Sequence, residues 1–313
     1  MAIEMQERLC IGKFVVVDWG TSQMRLYLCE NKVCGTGISK PIILERGDGS
    51  GIANVSDAEH AFFSSAPAWL TPELPIFMSG MVGSNIGWLS TPYMSCPLPI
   101  SDILLGRTCF NSRNHTLSIQ HGLSCKNALQ MPDFMRGEEL QILGWYNSNP
   151  EQHSKGRHLL CLPGTHSKWV YVEDGIILSF TTGLSGELFD ILSTHSVLTG
   201  QSSISDDYEE FERGLNMIER IGGSSFIHLL FSTRSLQLAG ELEQNYSASY
   251  LSGLLIGADI LAGIHGNDFV SNVVTVHVVA NDKLSNWYAH GLEYVGCSAV
   301  KMSAEDACVL AYV

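Results

Sequence analysis

Two segments of this chain, 144 residues apart, follow one local plan. FVVVDWGTSQMRLYLCENKVCGTGIS begins at Phe14, and HLLCLPGTHSKWVYVEDGIILSFTTG begins at His158. Each reads as an apolar strand, a Gly-Thr turn, a second strand, a polar turn and a third strand. Gly20-Thr21 aligns with Gly164-Thr165, and Tyr27 falls on Tyr171 at the same offset. Phe14–Val17 and His158–Leu162 are the continuous apolar runs of strands buried on both faces. Arg25–Leu28 and Trp169–Val172 continue beyond the turns. Asn31-Lys32 and Glu173-Asp174-Gly175 supply the next turns. Each half therefore opens with a three-stranded antiparallel meander, and the chain is expected to be α/β with two similar lobes.

A length of 313 residues suits two domains at ~100–200 residues each. The polar, turn-rich stretch Asn147–Arg157, NSNPEQHSKGR, is the natural boundary. Lobe I is read as residues 1–150 and lobe II as 151–313, with the C-terminal helix free to pack back on lobe I. Helices are predicted over Val55–Trp69, Gly137–Tyr146, Glu187–Leu198, Asp206–Ile221, Ser225–Leu238, Ser247–His265, Leu284–Gly291 and Ala304–Leu310. Short strands are predicted at Ile76–Ser79 and Val273–Ala280.

Charge narrows the functional classes. Lys and Arg number 18 against 32 Asp and Glu, a net charge of −14. That balance excludes general binding to nucleic acid or to an anionic membrane, which needs clustered cations. A small anion is still admissible, because a few local cations outweigh a distant field. The acidity is also uneven. Residues 1–150 carry 13 acids and 10 bases, and residues 151–313 carry 19 and 8. The run SDDYEEFE reads as a solvated helix start. Nine cysteines, with no CxxC pair, read as free thiols in a reducing cytoplasm rather than disulfides or metal ligands. The start MAIEMQER is not a signal peptide, and the apolar stretch Leu251–Ile264 contains Asp259 and reads as a buried helix.

Paired Gly-Thr turns suit a phosphate clamp. Glycine permits close backbone approach, and Thr or Ser hydroxyls add donors. In the first turn the donors are Gly20, Thr21 and Ser22. In the second they are Gly164, Thr165, His166 and Ser167, with Lys168 available to neutralise phosphate. Asp18 ends the first strand, where a carboxylate can hold Mg²⁺, usually through water. Pro163 stands at the matching place of the second copy. One metal-side carboxylate and two phosphate turns suit ATP between lobes. Arg25 shares a strand face with Thr21 if alternation holds, and could contact phosphate or a substrate carboxylate.

DWGTSQMR and PGTHSKW resemble the two phosphate motifs of the acetate and sugar kinase, Hsc70 and actin superfamily. MSGMVGSNIGWLSTPY, PDFMRGEELQILGW, LPGTHSKWVYV, TGLSGELFDILSTHSVL and YLSGLLIGADI narrow the match, in this order and spacing. Together they resemble the 2-dehydro-3-deoxygalactonokinase family over about Val15 to Leu292. The resemblance implies two RNase H-like lobes of the actin and hexokinase type with an active-site cleft between them. It also implies ATP- and Mg²⁺-dependent phosphorylation of the 6-hydroxyl of 2-dehydro-3-deoxy-D-galactonate. Two positions depart from the family pattern. His121-Gly122-Leu123 replaces Pro-Gly-Leu, and Ala280-Asn281 replaces a Gly-Ser that lies against adenine.

Related sugar kinases place an acidic general base at a helix start ahead of the second turn. Glu138 stands 26 residues before Gly164 and Asp133 stands 31 before it, so both are candidates, with Glu139 behind them. Arg136 is the candidate partner for the substrate carboxylate, since guanidinium matches that planar group; Arg234 is the alternative. Ser79, Gly80, Gly83 and Ser84 form a small polar loop suited to a polyhydroxyl substrate, with Trp88 and Tyr93 as its walls. Glu187 is expected to cap a helix. A sugar-acid kinase is the expected function. The alternatives are a kinase for a related sugar acid or a catalytically inactive sugar sensor on the same fold. An actin-like or chaperone ATPase fits less well, because a peptide-binding domain is missing. A homodimer is compatible with this reading.

Overall fold

The computed structural model describes residues 12–31, 33–34, 37–38, 40–199, 206–265 and 275–312. Strands β1 (Gly12–Trp19), β2 (Gln23–Asn31) and β3 (Ile42–Ser50) precede helix α1 (Ala58–Ser64) and strand β4 (Ile76–Gly80). Strands β5 (Tyr93–Ser95), β6 (Leu98–Pro99), β7 (Arg107–Ser112), β8 (His115–Gln120), β9 (Gly122–Lys126) and β10 (Pro132–Met135) follow. They lead to helices α2 (Glu138–Ser148) and α3 (Pro150–His153). The second half runs β11 (Arg157–Leu162), β12 (Ser167–Glu173), β13 (Ile176–Gly183), α4 (Ser185–His195), α5 (Tyr208–Ile221), α6 (Phe226–Leu238) and α7 (Ser247–His265). It ends with β14 (Thr275–Ala280), α8 (Asp282–Tyr294), β15 (Ser298–Ser303) and α9 (Ala304–Leu310).

The repeat seen in sequence is a repeat of topology. The first large sheet has the order β3-β2-β1-β4-β8-β7, and the second β15-β14-β11-β12-β13-β6. In each, an antiparallel meander (β1-β2-β3 or β11-β12-β13) is extended by two parallel strands beside its first member. That is the RNase H-like arrangement, present twice. Strands β2 and β12 both begin two residues after the Thr of their Gly-Thr turn, at Gln23 and Ser167. A third sheet, β10-β9-β5, is built from strands between Tyr93 and Met135, interleaved with those of the first sheet. Strand β6, from the first half, pairs with β13 at the edge of the second sheet.

Each strand alternates its faces between two cores. Val15, Val17 and Trp19 of β1 face outward to Phe62 of α1, while Phe14 and Val16 face inward. Leu159 and Cys161 of β11 face Phe211 and Ile260 of α5 and α7, while Leu160 and Leu162 face inward. The inward faces of both sheets share one core with α2 and α9. A Cβ on Gly144 would lie 1.7 Å from the carbonyl oxygen of Ala307, so α2 and α9 cross in backbone contact. The long apolar segment Gln244–His265 has the length and composition of a membrane span, yet 78% of its apolar window is buried inside the protein. It is the core helix that its sequence suggested.

Local chemistry sets most differences from expectation. Helix α1 is shorter than the predicted Val55–Trp69. Asp57 caps it by accepting from His60 N at 3.0 Å, and Pro67 pushes Ala66 out of helical geometry. The strand completing the first meander is β3, after a two-residue hairpin of Val33–Cys34 with Gly37–Ile38. Helix α8 begins at Asp282 because Asn281 caps it, accepting from Leu284 N at 3.0 Å. Lys32, Cys10, and Val273 and Val274 of the predicted strand lie outside the described residues. Seven described cysteines are free thiols, and burial pushes the Cys29 thiol up to about 12.

Candidate active site

A cleft of about 350 Å³ is bordered by both Gly-Thr turns and by the start of α2. The first turn is held from behind. Gly20 N donates to Gln23 O at 2.9 Å, and Ile52 N and Ala53 N donate to Gly20 O and Thr21 O, each at 3.1 Å. Gly20 and Thr21 border the cleft. Ser22 is exposed on the far side of the turn, with its carbonyl accepting from Gly51 N. In the second turn, Gly164, Thr165 and His166 border the cleft. Helix α4 seats its start against them: Glu187 N donates to Thr165 O at 2.9 Å, and a Cβ on Gly186 would lie 2.1 Å from Gly164 O. Glu187 also pairs through Oε2 with His166 Nε2. Ser167 is fully buried and turns toward Ser185, away from the cleft.

Asp18 lies at the end of β1, with Arg25 opposite it across the β1–β2 ladder. Arg25 Nη1 donates to Asp18 Oδ2 at 3.0 Å, and Arg25 Nη2 donates to Gln23 Oε1. Arg25 is thereby tied to the carboxylate rather than to the open cleft. Burial raises the Asp18 carboxyl above its ordinary value; the Arg25 guanidinium pulls it down and the nearby Glu138 adds an upward push. Ser79 pairs with Asp18 in the parallel ladder, and its hydroxyl is buried.

Position separates the three acidic candidates on β10 and at the start of α2. Glu138 borders the cleft, and its Oε2 accepts from Arg136 N at 3.1 Å. Asp133 is buried and does not border the cleft. Its carboxylate accepts from Asn127 Nδ2, Phe134 N, Thr182 N and Thr182 Oγ1, at 3.0, 2.9, 2.9 and 2.6 Å. Glu139 points away into the core and accepts from Gly137 N at 2.6 Å; burial raises its carboxyl to about 8. Gly137 has φ +112° and Gly80 φ +89°, which other residues rarely adopt, and the two stack with a Gly137 Cβ only 3.3 Å from Gly80 Cα. Their lack of side chains lets β4 and α2 meet at the cleft floor.

Arg136 borders the cleft with its guanidinium 4.3 Å above the Tyr93 ring. Its Nη2 donates to Thr91 O at 2.8 Å, and its Nη1 donates to Thr91 Oγ1. Tyr93 stands edge-on to Phe134 and also borders the cleft. The small-residue loop behaves differently from the wall expected of it. Gly80 borders the cleft, but Gly83 and Ser84 are buried beneath it. Trp88 stacks among Phe62, Phe63 and Phe110 in the outer core, because its apolar ring finds more partners there. Arg234 lies on α6, outside the cleft lining.

A second cavity of about 350 Å³ adjoins the cleft at Gly164. Phe189 of α4, Leu255 and Ile256 of α7, and Leu284 and Trp287 of α8 make it largely apolar. Beneath it, Asp259 accepts from Ser185 Oγ, Tyr288 OH and Trp169 Nε1 at 3.1, 2.5 and 3.0 Å. The ion pair of Lys283 with Asp206, at 3.0 Å, edges its mouth. Ala280 is buried and borders neither cavity. The sequence did not single out this pocket, since its walls come from three helices with no shared motif. Met81, Phe134 and Gln141 also line the first cleft unannounced. Of these, Gln141 was legible, as the residue one turn after Glu138.

Among the described residues no three metal-ligating side chains converge. An all-oxygen site built on Asp18 still fits Mg²⁺, which binds through one or two carboxylates and completes its shell with water and phosphate oxygens. The observation in favour is a half-buried carboxylate that borders the cleft and is paired there with Arg25.

The chain is similar to known proteins over nearly its whole length. A family model for 2-keto-3-deoxy-galactonokinase matches residues 18–312. A probable 2-dehydro-3-deoxygalactonokinase of Rhizobium meliloti (strain 1021) is 30% identical over 306 residues, covering 95% of this chain and 94% of that one. The 2-dehydro-3-deoxygalactonokinase of Escherichia coli (strain K12) is 29% identical over 303 residues, covering 95% and 94%. A solved structure from Sinorhizobium meliloti, assigned as a 2-dehydro-3-deoxygalactonokinase, superposes with a TM-score of 0.78 at 29% identity, covering 96% of each chain.

Proposed function

Because the chain belongs to the 2-keto-3-deoxy-galactonokinase family and is a sugar-acid kinase using ATP, we propose that it phosphorylates 2-dehydro-3-deoxy-D-galactonate at the 6-hydroxyl, in galactonate catabolism in the cytoplasm. The observation that carries this reading is the meeting of both Gly-Thr turns and Glu138 around one cleft.

Phosphoryl transfer needs alignment, charge neutralisation and a group that accepts the attacking hydroxyl's proton. The apolar pocket at Phe189 and Trp287 takes the purine, and Gly164, which borders both cavities, leads the phosphates into the cleft. The backbone at Gly20-Thr21 and Gly164-Thr165, with the Thr hydroxyls and His166, cradles phosphate oxygens. Asp18 would hold Mg²⁺, which would supply charge neutralisation at the phosphates. Arg136, its guanidinium flattened on Tyr93, takes the substrate carboxylate, which fixes the far end of the sugar acid. Glu138 then accepts the proton of the 6-hydroxyl. General-base catalysis of this kind contributes about 10²–10⁴-fold.

The test is a coupled ATP-consumption assay over 2-keto-3-deoxy sugar acids, with galactonate and gluconate forms side by side, and ³¹P–¹H NMR of the product. Turnover with the galactonate form and phosphate on C6 are expected. Absence of turnover with every acid overturns the kinase reading in favour of a sensor, and phosphate on another carbon overturns the regiochemistry.

A further inference from the structure

Among the described residues, Lys168 is the only lysine or arginine that is buried. Strand β12 of the second sheet carries it, and its neighbour across the cleft belongs to the first half of the chain. Lys168 Nζ donates to His166 O at 3.1 Å and lies 3.5 Å from Glu138 Oε1. The side chain is 4% exposed, against 25% for Glu138. Glu138 Oε2 is meanwhile held by the Arg136 N–H. The carboxylate at the mouth of α2 is thus gripped at one oxygen by its own lobe and approached at the other by an ammonium from the opposite lobe.

The surrounding charges leave this duty to Lys168. Asp18 and Glu139 are the acids that interact with Glu138. Arg25 is paired with Asp18, and the Arg136 guanidinium donates to Thr91 and lies over Tyr93 rather than pairing with Glu138. A buried ammonium is tolerated only with close partners, and here they are one carbonyl and one carboxylate. A phosphate ligand that must follow a moving γ-phosphoryl group needs reach, which a lysine fastened to the carbonyl two residues before it lacks.

We propose that Lys168 is a positioning residue for Glu138, aiming the carboxylate at the sugar hydroxyl when the two lobes are together, and is not a ligand of the transferred phosphate. The proposal rests on the reading of Glu138 as the base.

The test compares Lys168→Met, Lys168→Gln, Glu138→Gln and the Lys168→Met/Glu138→Gln double variant. Each is measured for kcat at saturating substrates, for sugar-acid KM and for calorimetric binding of a non-hydrolysable ATP analogue. Both Lys168 variants are expected to lower kcat about 10- to 100-fold, with analogue affinity within about threefold of the parent. The double variant is expected to be no slower than Glu138→Gln alone, because a positioning residue has nothing left to position. A purely structural lysine would not give that non-additivity. Analogue affinity reduced tenfold with kcat retained would make Lys168 a phosphate ligand and overturn the proposal, as would multiplicative losses in the double variant. Should Lys168→Met fail to fold, Lys168→Gln, which keeps a donor, carries the same comparison against Glu138→Gln through its own double variant. If Glu138→Gln itself keeps kcat within tenfold, the base assignment fails first; if it is inactive while the Lys168 variants are normal, only the lysine proposal fails.

Discussion

Asp133 and Thr182 are joined by two hydrogen bonds, Thr182 N to Oδ2 at 2.9 Å and Thr182 Oγ1 to Oδ1 at 2.6 Å. They fasten strand β10, which leads into Arg136 and Glu138, to strand β13 of the second large sheet. A carboxylate already accepting four hydrogen bonds is poorly placed to take a proton from substrate. Asp133→Asn puts an amide donor against Asn127 or Thr182 donors. It should cost about 1–3 kcal/mol of stability by leaving a buried group unsatisfied, while kcat of the folded protein stays within about tenfold. Glu138→Gln should lower kcat by about 100-fold or more, with some loss of stability because buried Lys168 loses its facing carboxylate. Chemical denaturation together with turnover at saturating substrate separates the two. A reversed pattern would return the base to Asp133.

Asp18→Asn should abolish transfer and leave the fold intact, because its side-chain partner Arg25 is exposed to solvent. Binding of an ATP analogue should also lose its dependence on added Mg²⁺. Normal activity in this variant would remove Asp18 from the metal site.

Arg25→Met should move the acid limb of kcat/KM to higher pH. Burial raises the Asp18 carboxyl and Arg25 opposes that rise. The carboxylate must be ionised to hold a cation, so losing the opposing cation leaves it protonated up to a higher pH. Rate profiles between about pH 5 and 8 would show the displacement, and superimposable profiles would rule out this coupling.

Glu139→Gln should flatten the pH dependence of stability. The folded carboxyl holds its proton to about 8, against an ordinary value of 4.5. Between those values the folded protein binds a proton that the unfolded chain has lost. Stability from this group is therefore fully present below 4.5 and is lost as pH rises toward 8. The glutamine variant, neutral in both states, lacks that decline and should melt higher than the parent at pH 8. Parallel stability curves would show that Glu139 is ionised in the fold.

Gly144→Ala should destabilise by about 1–3 kcal/mol through overpacking, since the added methyl meets backbone that cannot rotate away. The loss should appear in denaturant midpoint. An unchanged midpoint would mean that α2 and α9 separate at little cost.

Turn chemistry and strand periodicity are local properties, and they were legible. The matched Gly-Thr turns, the strands that flank them and the buried helix ending at His265 follow from a few neighbouring residues each. The 144-residue offset was enough to predict two like lobes. Asp133, Glu138 and Glu139 were not separable in that way. All three stand within seven residues of one another, and only the direction of β10 and α2 sends one to the cleft, one to Thr182 and one to the core. Trp88 shows the same limit, since an aromatic beside a polar loop serves a sugar or a core equally well until its neighbours are placed.

The sequence by itself determined the two-lobed α/β fold and the two Gly-Thr turns that border the cleft, because glycine, threonine and apolar alternation act within a few residues of themselves. Only the tertiary structure decided which carboxylate faces the cleft, which lysine is sealed against it, and that α4, α7 and α8 enclose an apolar pocket beside Gly164. Those facts depend on packing between residues far apart in the chain. The free energy of burying a given side chain is set by whatever the fold brings against it.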